Sequence, residues 1–357
     1  MVKKVVFCMA LGFFSFSSMA DSWAEKIALK GDFRYRYEMI KSGDNDARNR
    51  QRLRARVGVN GTVNDYSKVT VQLATGSDDP ISTNQTLGDA FTTKDMRLDL
   101  AYFTLSPVKG LDFMGGKMKN PFETVQKSEL LWDPDLNPEG LAVKYLQKFG
   151  NLEPRVNAGA FWVEERSADP ETYLFAGQAG FKYYVGDMHF ILGGGYYDYD
   201  HIQGQAALYE DDGFGNTMTA ANEFTNDYNV LEGYFEYGIK AGNLPLAIIA
   251  TAGYNLAVDS SNLGYIAGFS LGKAKDPRSW HLRALWREMP ADAVFATFTD
   301  SDFGGGGTDS RGAEVNADYQ VLKHFTAGIT YFYNWKSLAD DDSEVYQRMQ
   351  ADLKFKF

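Results

Sequence analysis

From Lys26 to its end, the chain alternates apolar and polar residues with a period of two, over segments of about ten residues. Successive side chains of a β-strand point to opposite faces, so each segment presents one apolar face and one polar face. The last segment, residues 346–357, keeps this alternation and ends on the aromatic residue Phe357. Such a strand suits a barrel wall that has lipid on one side and a wet interior on the other.

The repeat predicts an all-β fold, namely a transmembrane antiparallel β-barrel of about 16 strands. Short turns alternate with long polar loops along the chain, and this alternation with an even strand number is typical of bacterial outer-membrane barrels. A soluble β-sandwich is the alternative. The apolar faces of the first two predicted strands run from Ile27 to Tyr37 and from Gln51 to Val59, and the other strands centre on Val71, Leu100, Phe113, Val143, Ala158, Ala179, Phe190, Phe235, Ala250, Ala267, Ala284, Val315, Ile329 and Leu353.

Residues 1–20 predict a secretory signal peptide. Lys3 and Lys4 supply its positive charge, an apolar stretch follows, and a small-residue cleavage site ends at Ala20. The apolar stretch is shorter than the roughly 18 to 20 residues that a membrane-spanning helix needs. We therefore expect an exported protein whose single domain, residues 21–357, is an outer-membrane β-barrel.

Composition excludes several other classes of function. Removal of Lys3 and Lys4 with the leader leaves 34 basic and 47 acidic residues, a net charge of −13, whereas nucleic-acid binding requires a positive surface. The only cysteine, Cys8, leaves with the leader, so a thiolate nucleophile or metal ligand is not expected. No Gly-x-Ser-x-Gly element occurs either. We expect no metal, no cofactor and no enzymatic activity, because the histidines are also scattered without metal-ligand spacing, at His189, His201, His281 and His324.

Six arginines in the first two predicted strands are the strongest candidates for a functional site. They occupy alternate positions within each strand, so they share the face opposite the apolar residues and point into the barrel interior. Guanidinium groups stay charged, so carboxylates, water or passing anions must relieve their mutual repulsion. This predicted pore-lining basic wall consists of Arg34, Arg36, Arg50, Arg52, Arg54 and Arg56.

The segment from Lys119 to Glu139 is the candidate partner of the basic wall. Leu130, Leu131 and Trp132 would be unusual on a solvated outer loop, so we expect the segment to fold inward and pack on the barrel wall. Acidic and basic groups on opposite sides of a constriction set ion preference and produce a transverse field. Alternatively, the loop caps the mouth or contacts a neighbouring subunit. The candidate constriction acids are Glu123, Glu129, Asp133 and Asp135.

The other long loops also carry acidic groups, which we interpret as solvated charge on the outer surface. Binding of divalent cations that tie the rim to anionic lipopolysaccharide is the alternative. The sequence from Asp300 resembles the beginning of a calcium loop, but Arg311 stands where a bidentate glutamate is needed, so we exclude calcium there. The acidic groups are Glu210, Asp211 and Asp212; Asp300 and Asp302; and Asp340, Asp341 and Asp342 with Glu344.

Three stretches of the chain resemble outer-membrane porins of Gram-negative bacteria, in particular the "putative porin" group: Arg50 to Gly61, Met96 to Phe103, and Lys119 to Leu141. The resemblance covers the mature chain. It implies a sixteen-stranded barrel, usually trimeric, in which the arginine wall opposes carboxylates of an inward-folded third loop. The Pro-Glu-Phe-Gly-Gly-Asp element of the enterobacterial general porins is missing, which leaves open which acids form the constriction.

The sequence thus predicts a channel for passive diffusion of small hydrophilic solutes and ions through the outer membrane of a Gram-negative bacterium. Its expected partners are outer-membrane lipid and lipopolysaccharide, the solutes, and two further copies of itself in a homotrimer, without nucleic acid. One alternative is a solute-specific channel in which the arginines bind an anion such as phosphate. Another is a barrel that serves as a surface adhesin or receptor.

Overall fold

A computed structural model describes residues 26–339 and 343–357; the predicted signal peptide and Cys8 lie outside these residues. The described chain is built from β-strands joined by turns, loops and four three-residue 3₁₀ segments. The strands are β1 (Ile27–Ser42), β2 (Arg48–Asn64), β3 (Ser67–Thr75), β4 (Gln85–Thr86), β5 (Met96–Val108), β6 (Leu111–Lys117), β7 (Glu139–Leu146), β8 (Leu152–Glu164), β9 (Thr172–Val185), β10 (Met188–Asp200), β11 (Asn229–Ala241), β12 (Leu244–Asn255), β13 (Leu263–Gly272), β14 (Trp280–Met289), β15 (Ser310–Leu322), β16 (Phe325–Lys336) and β17 (Glu344–Lys356).

These strands form one closed antiparallel sheet. Each wall strand pairs with its neighbour along the chain, β3 pairs with β5 across the intervening loop, and β17 closes the barrel on β1, from Asp32 opposite Lys356 to Ser42 opposite Tyr346. The two-residue β4 lies within a loop and pairs with β2, so 16 strands of the described chain build the wall. The predicted sixteen-stranded barrel is confirmed. Closure leaves no strand edge unpaired, which a barrel in a membrane requires.

The alternation in sequence becomes the two faces of the wall. Outward side chains are apolar and exposed, for example Leu29 and Leu322, which are 63% and 62% accessible. An apolar surface that surrounds the whole barrel needs a lipid environment, because contiguous exposed apolar surface drives association in water. Trp162 and Trp286 also project outward, and such amphipathic rings are typical of the headgroup zone of a membrane. Among the described residues, no helix is long and apolar enough to cross a membrane.

Long and short connections lie at opposite ends of the barrel, and four long loops position the site described below. When only the connections at the long-loop end are counted, these are the second loop (76–95), the third loop (118–138), the fifth loop (201–228) and the seventh loop (290–309). Apolar residues of the third, fifth and seventh loops form a buried core inside the barrel. Chain that folds back from the rim therefore occupies part of the interior at the long-loop end.

Candidate functional site

All six predicted arginines of the basic wall lie on the interior face of β1 and β2. The register of these strands places Arg34 directly opposite Arg54, and Arg36 directly opposite Arg52. Like charges that face each other across a strand pair destabilise it. The same face of β1 therefore also carries acids, Asp32 below Arg34 and Glu38 above Arg36, where "above" means toward the long loops.

Glu38 is the most enclosed acid of the wall, with no accessible surface. Its carboxylate accepts hydrogen bonds from Arg50 and from Nε of Arg348, the latter at 2.7 Å, and lies 3.9 Å from Arg52. Arg348 belongs to β17 and was not among the predicted wall residues. Arg348 lies on the same face of its strand as Asp352, and closure of β17 on β1 brings it beside the six predicted arginines. The wall therefore contains seven arginines.

The third loop crosses the interior of the barrel. Leu130 and Trp132 are buried, and the ring of Trp132 packs against Phe122 at 5.8 Å and Tyr197 at 5.3 Å between ring centroids. The interior side chain of Arg287, on β14, donates a hydrogen bond to the backbone carbonyl of Glu129 at 3.0 Å. The apolar residues that looked out of place on an outer loop are the anchor of this segment inside the barrel.

Of the four predicted constriction acids, Asp135 alone contacts the basic wall. Its Oδ1 lies 3.4 Å from Arg54 and 3.3 Å from Arg56, and Thr83 of the second loop donates a hydrogen bond to Oδ2 at 2.9 Å. Burial would raise the pKa of Asp135, but the nearby guanidinium groups, Arg54 first, outweigh burial and hold this pKa at about 2. Asp135 is therefore ionised at any physiological pH.

The remaining third-loop acids do not face the six arginines. Glu123 forms an ion pair with Arg155 of β8 at 2.6 Å, across the barrel interior from β1. The carboxylates of Glu129 and Asp133 lie instead against Asp300 of the seventh loop. The alternation of side chains between two faces, which holds in a strand, could not predict where these carboxylates point, because the third loop has no regular backbone period.

Asp302 of the seventh loop also contacts the basic wall, although we predicted from sequence that it lies on the solvated outer surface. Its carboxylate lies 2.6 Å from Arg348 and 3.3 Å from Arg36, and Gln350 donates a hydrogen bond to it at 2.8 Å. Burial opposes ionisation, yet Arg348 and Arg36 hold the pKa of Asp302 below its usual range. The prediction for Asp300 and Asp302 was wrong because the seventh loop carries its own apolar segment inward; Asp300 is only 3% exposed.

A second cluster of carboxylates lies where the third and seventh loops contact each other, and we call this contact the seam. The ligand atoms of Glu129, Asp133 and Asp300 lie within 4.8 Å of one another, with Arg287 3.1 Å from Asp300. Among the described residues, this is the one group of three or more potential metal ligands that lie so close, and the guanidinium of Arg287 already supplies positive charge there. Burial first, and then the neighbouring carboxylates, raise the pKa values of Glu129 and Asp133 well above their usual range.

The raised pKa values predict that the seam weakens as pH rises. Glu129 and Asp133 bind protons more tightly in the folded protein than in the unfolded chain. The contribution of the seam to stability is therefore complete at a pH below the pKa values of the unfolded chain, and it is lost as pH rises through the raised pKa values of the folded protein. We expect the urea midpoint of unfolding to fall between mildly acidic and mildly alkaline buffer. Glu129→Gln should reduce that fall, because it removes one charge and keeps the side-chain size. An equal pH dependence in the variant would contradict this assignment.

The wall keeps excess positive charge after all its contacts are counted. Six of its seven arginines lie within 4.0 Å of only five carboxylates, namely Asp32, Glu38, Asp135, Asp302 and Asp352. Within the described chain, Arg34 has no carboxylate that close; it donates a hydrogen bond to the neutral Asn84 at 2.5 Å. The Nε atoms of Arg34 and Arg52 are buried without a hydrogen-bond partner. The uncompensated charge is therefore concentrated at these two arginines.

A closed sixteen-stranded barrel with an apolar belt, loops folded into its interior and an arginine wall facing loop carboxylates defines an outer-membrane channel. Comparison with a protein-family sequence model agrees: residues 41–232 and 246–357 match the family described as "Putative porin". The chain belongs to this porin family, and its place is the outer membrane. No curated protein sequence matches it.

Solved porin structures share the fold. OprB of Pseudomonas putida, in a high-pH structure, is 11% identical with a TM-score of 0.61, over 96% of both chains. OmpF of Salmonella typhi, in complex with daunomycin, is 11% identical with a TM-score of 0.56, over 93% of this chain and 97% of that one. A variant of the Rhodopseudomonas blastica porin is 13% identical with a TM-score of 0.52, over 93% and 100%. At such low identity the likeness establishes the fold alone.

Proposed function

We propose that this porin lets small hydrophilic solutes and ions diffuse passively through the outer membrane, past a constriction between the basic wall and the inward-folded loops. The observation that carries this proposal is that the inward-folded third loop brings Asp135 to 3.4 Å from Arg54 and 3.3 Å from Arg56 of the basic wall. Charged groups that face each other at the narrowest part of a water-filled pore act directly on permeating ions. A passive channel needs no cofactor, and no residue is assigned a catalytic role.

Single-channel recording of the purified protein in a planar bilayer tests this proposal. Stepwise openings of uniform size, with a reversal potential in a salt gradient, are expected of a diffusion channel. A correctly folded protein that never opens would overturn the proposal and favour the adhesin or receptor alternative. Block of the current by low concentrations of one solute would instead favour a solute-specific channel.

Arg34 and Arg52 are proposed to give the channel a preference for anions. Each contributes about 1 kcal/mol to an anion some 4 Å away even at the dielectric constant of water. Arg34→Gln combined with Arg52→Gln is therefore expected to lower the anion-to-cation permeability ratio several-fold, measured as a shift of the reversal potential in a salt gradient.

The matched control for this pair removes the same charge elsewhere. Arg97 and Arg311 are exposed near strand ends, away from the wall. Arg97→Gln with Arg311→Gln should leave the reversal potential close to that of the unmodified protein. Equal shifts in both double variants would assign the effect to net charge and remove the special role of Arg34 and Arg52.

The solute-specific alternative has one observation in its favour, namely the two neighbouring guanidiniums without a full carboxylate partner. An oxyanion such as phosphate could accept hydrogen bonds from both. Inorganic phosphate added to the bilayer chamber separates the alternatives: block of chloride current at low phosphate concentration supports a specific site, and an additive current supports general diffusion.

Export, assembly and lipid contacts complete the proposal. Residues 1–20 are proposed to direct export as a signal peptide, and the barrel to assemble as a homotrimer in contact with outer-membrane lipid and lipopolysaccharide. Assembly is supported by the family and by the structural likeness to OmpT of Vibrio cholerae, whose structure is described as a trimer form. Native mass spectrometry of the detergent-extracted protein measures the number of copies directly.

A further inference from the structure

The seventh loop is built as firmly into the barrel interior as the third loop. Phe295 is buried, and its ring packs against Tyr199 of β10 at 4.7 Å between centroids. Asn216 of the fifth loop, itself only 5% exposed, donates hydrogen bonds to the carbonyls of Ala291 at 2.7 Å and Val294 at 3.0 Å. Hydrogen-bonded, buried backbone of this kind holds a loop in one position.

The third and seventh loops are also joined to each other. The backbone N–H of Asp133 donates to the carbonyl of Phe298 at 2.9 Å, and the N–H of Ser301 donates to the carboxylate of Asp133 at 3.1 Å. Ser301 directly precedes Asp302. The contact of the two loops therefore fixes where the carboxylate of Asp302 lies along the wall.

Asp302 and Asp135 contact the basic wall at different positions along its strands. Asp135 contacts Arg54 and Arg56, whereas Asp302 contacts Arg36 and Arg348 further toward the long loops. Strand residues rise by about 3.3 Å each, so neighbouring same-face arginines of β1 lie some 7 Å apart. The two acids thus lie on either side of Arg34, the arginine without a carboxylate within 4.0 Å in the described chain.

Asp302 remains accessible from the interior. Its side chain is 22% exposed, compared with 10% for Asp135. A carboxylate that only braced the wall would gain nothing from access to water, whereas one that acts on ions must be reached by them. The charge of Asp302 is therefore available to a permeating solute.

We propose that the seventh loop is a second constriction loop and that Asp302 is a second selectivity-determining carboxylate of the channel. This inference rests on the proposed channel function. Asp135 and Asp302 form two acidic positions along the basic wall, with the positive charge of Arg34 between them. A permeating anion is attracted at Arg34 and repelled at the two acids, and a cation encounters the opposite sequence.

Neutralisation of Asp302 tests this directly. Asp302→Asn is expected to raise the anion-to-cation permeability ratio several-fold, because Arg36 and Arg348 lose a counter-charge. Asp302→Glu should restore the unmodified reversal potential, since it returns the charge. Asp259→Asn, an exposed position between β12 and β13, is the control for loss of one negative charge outside the barrel interior. A reversal potential in Asp302→Asn equal to that of Asp259→Asn would overturn the proposal.

Chemical modification gives a second test that tolerates partial loss of stability. The sequence has no cysteine other than Cys8 of the predicted leader, so Asp302→Cys introduces a single reactive thiol in the mature protein. A negatively charged methanethiosulfonate reagent should return the reversal potential toward that of the unmodified protein, and a positively charged one should shift it further toward anions. Complete labelling, verified by mass, without a change in current would place Asp302 outside the ion path.

The channel function and the role of Asp302 are tested by different outcomes. If the unmodified protein forms no channel, the proposed function fails. If it conducts, but the Asp302 variants match their control, only the second constriction loop is excluded.

Discussion

Glu38→Gln is expected to lower the free energy of unfolding by about 3–5 kcal/mol, the usual cost when one partner of a buried ion pair is removed. Glu38 has no accessible surface and contacts Arg50, Arg52 and Arg348. Glutamine keeps the size and one hydrogen-bond acceptor, so the loss reports the missing charge. Urea unfolding of the protein in lipid vesicles, followed by tryptophan fluorescence, measures the change.

An exposed ion pair provides the matched control for this prediction. Glu139 is 61% exposed at the side chain and pairs with Lys117 at 2.7 Å. Glu139→Gln should change the unfolding free energy by less than about 1 kcal/mol, because solvent screens exposed pairs. If Glu38→Gln were as stable as Glu139→Gln, the arginines of the wall would have to be compensated by water or bound anions.

Trp132→Ala is expected to release the third loop from the barrel wall and enlarge the pore. Truncation of a buried tryptophan costs about 3–5 kcal/mol, and here the loss falls on the contact with Phe122 within the loop and on the contact with Tyr197 of the wall. A loosened loop no longer holds Asp135 against the wall. Single-channel recording should therefore show larger openings with more current noise than in the unmodified protein.

Trp162 allows the same substitution on the other side of the wall. Its ring points outward and is 51% exposed. Trp162→Ala should leave the unitary conductance unchanged, since the pore side of β8 keeps its residues. Unchanged conductance in Trp132→Ala as well would mean that the third loop does not limit the current.

Strand parity predicted much of this site. Arg34, Arg52 and their neighbours were assigned to the interior face from sequence, and the structure places all six there. The same parity argument, applied to the closing strand, would also have found Arg348, which shares a face with Gln350 and Asp352. It was missed because its proximity to β1 depends on barrel closure, which joins residues some 310 positions apart.

Loop residues were harder to assign, for a physical reason. Asp133 and Asp135 are two positions apart, yet Asp135 contacts arginines and Asp133 accepts the backbone N–H groups of Asp135 and Ser301. A loop without a repeating backbone conformation gives each side chain its own direction. Asp302 was still harder to predict, because its acidic, glycine-rich neighbours in sequence are typical of a solvated loop.

The sequence by itself determined the barrel, its two faces, the sixteen strands and the arginine wall, because a strand converts a period of two directly into inside and outside. Tertiary structure alone decided which carboxylates meet that wall and which arginines stay uncompensated. Those contacts join the second, third and seventh loops to strands at both ends of the chain. They depend on how buried residues such as Trp132 and Phe295 fill the barrel interior, which no local pattern encodes.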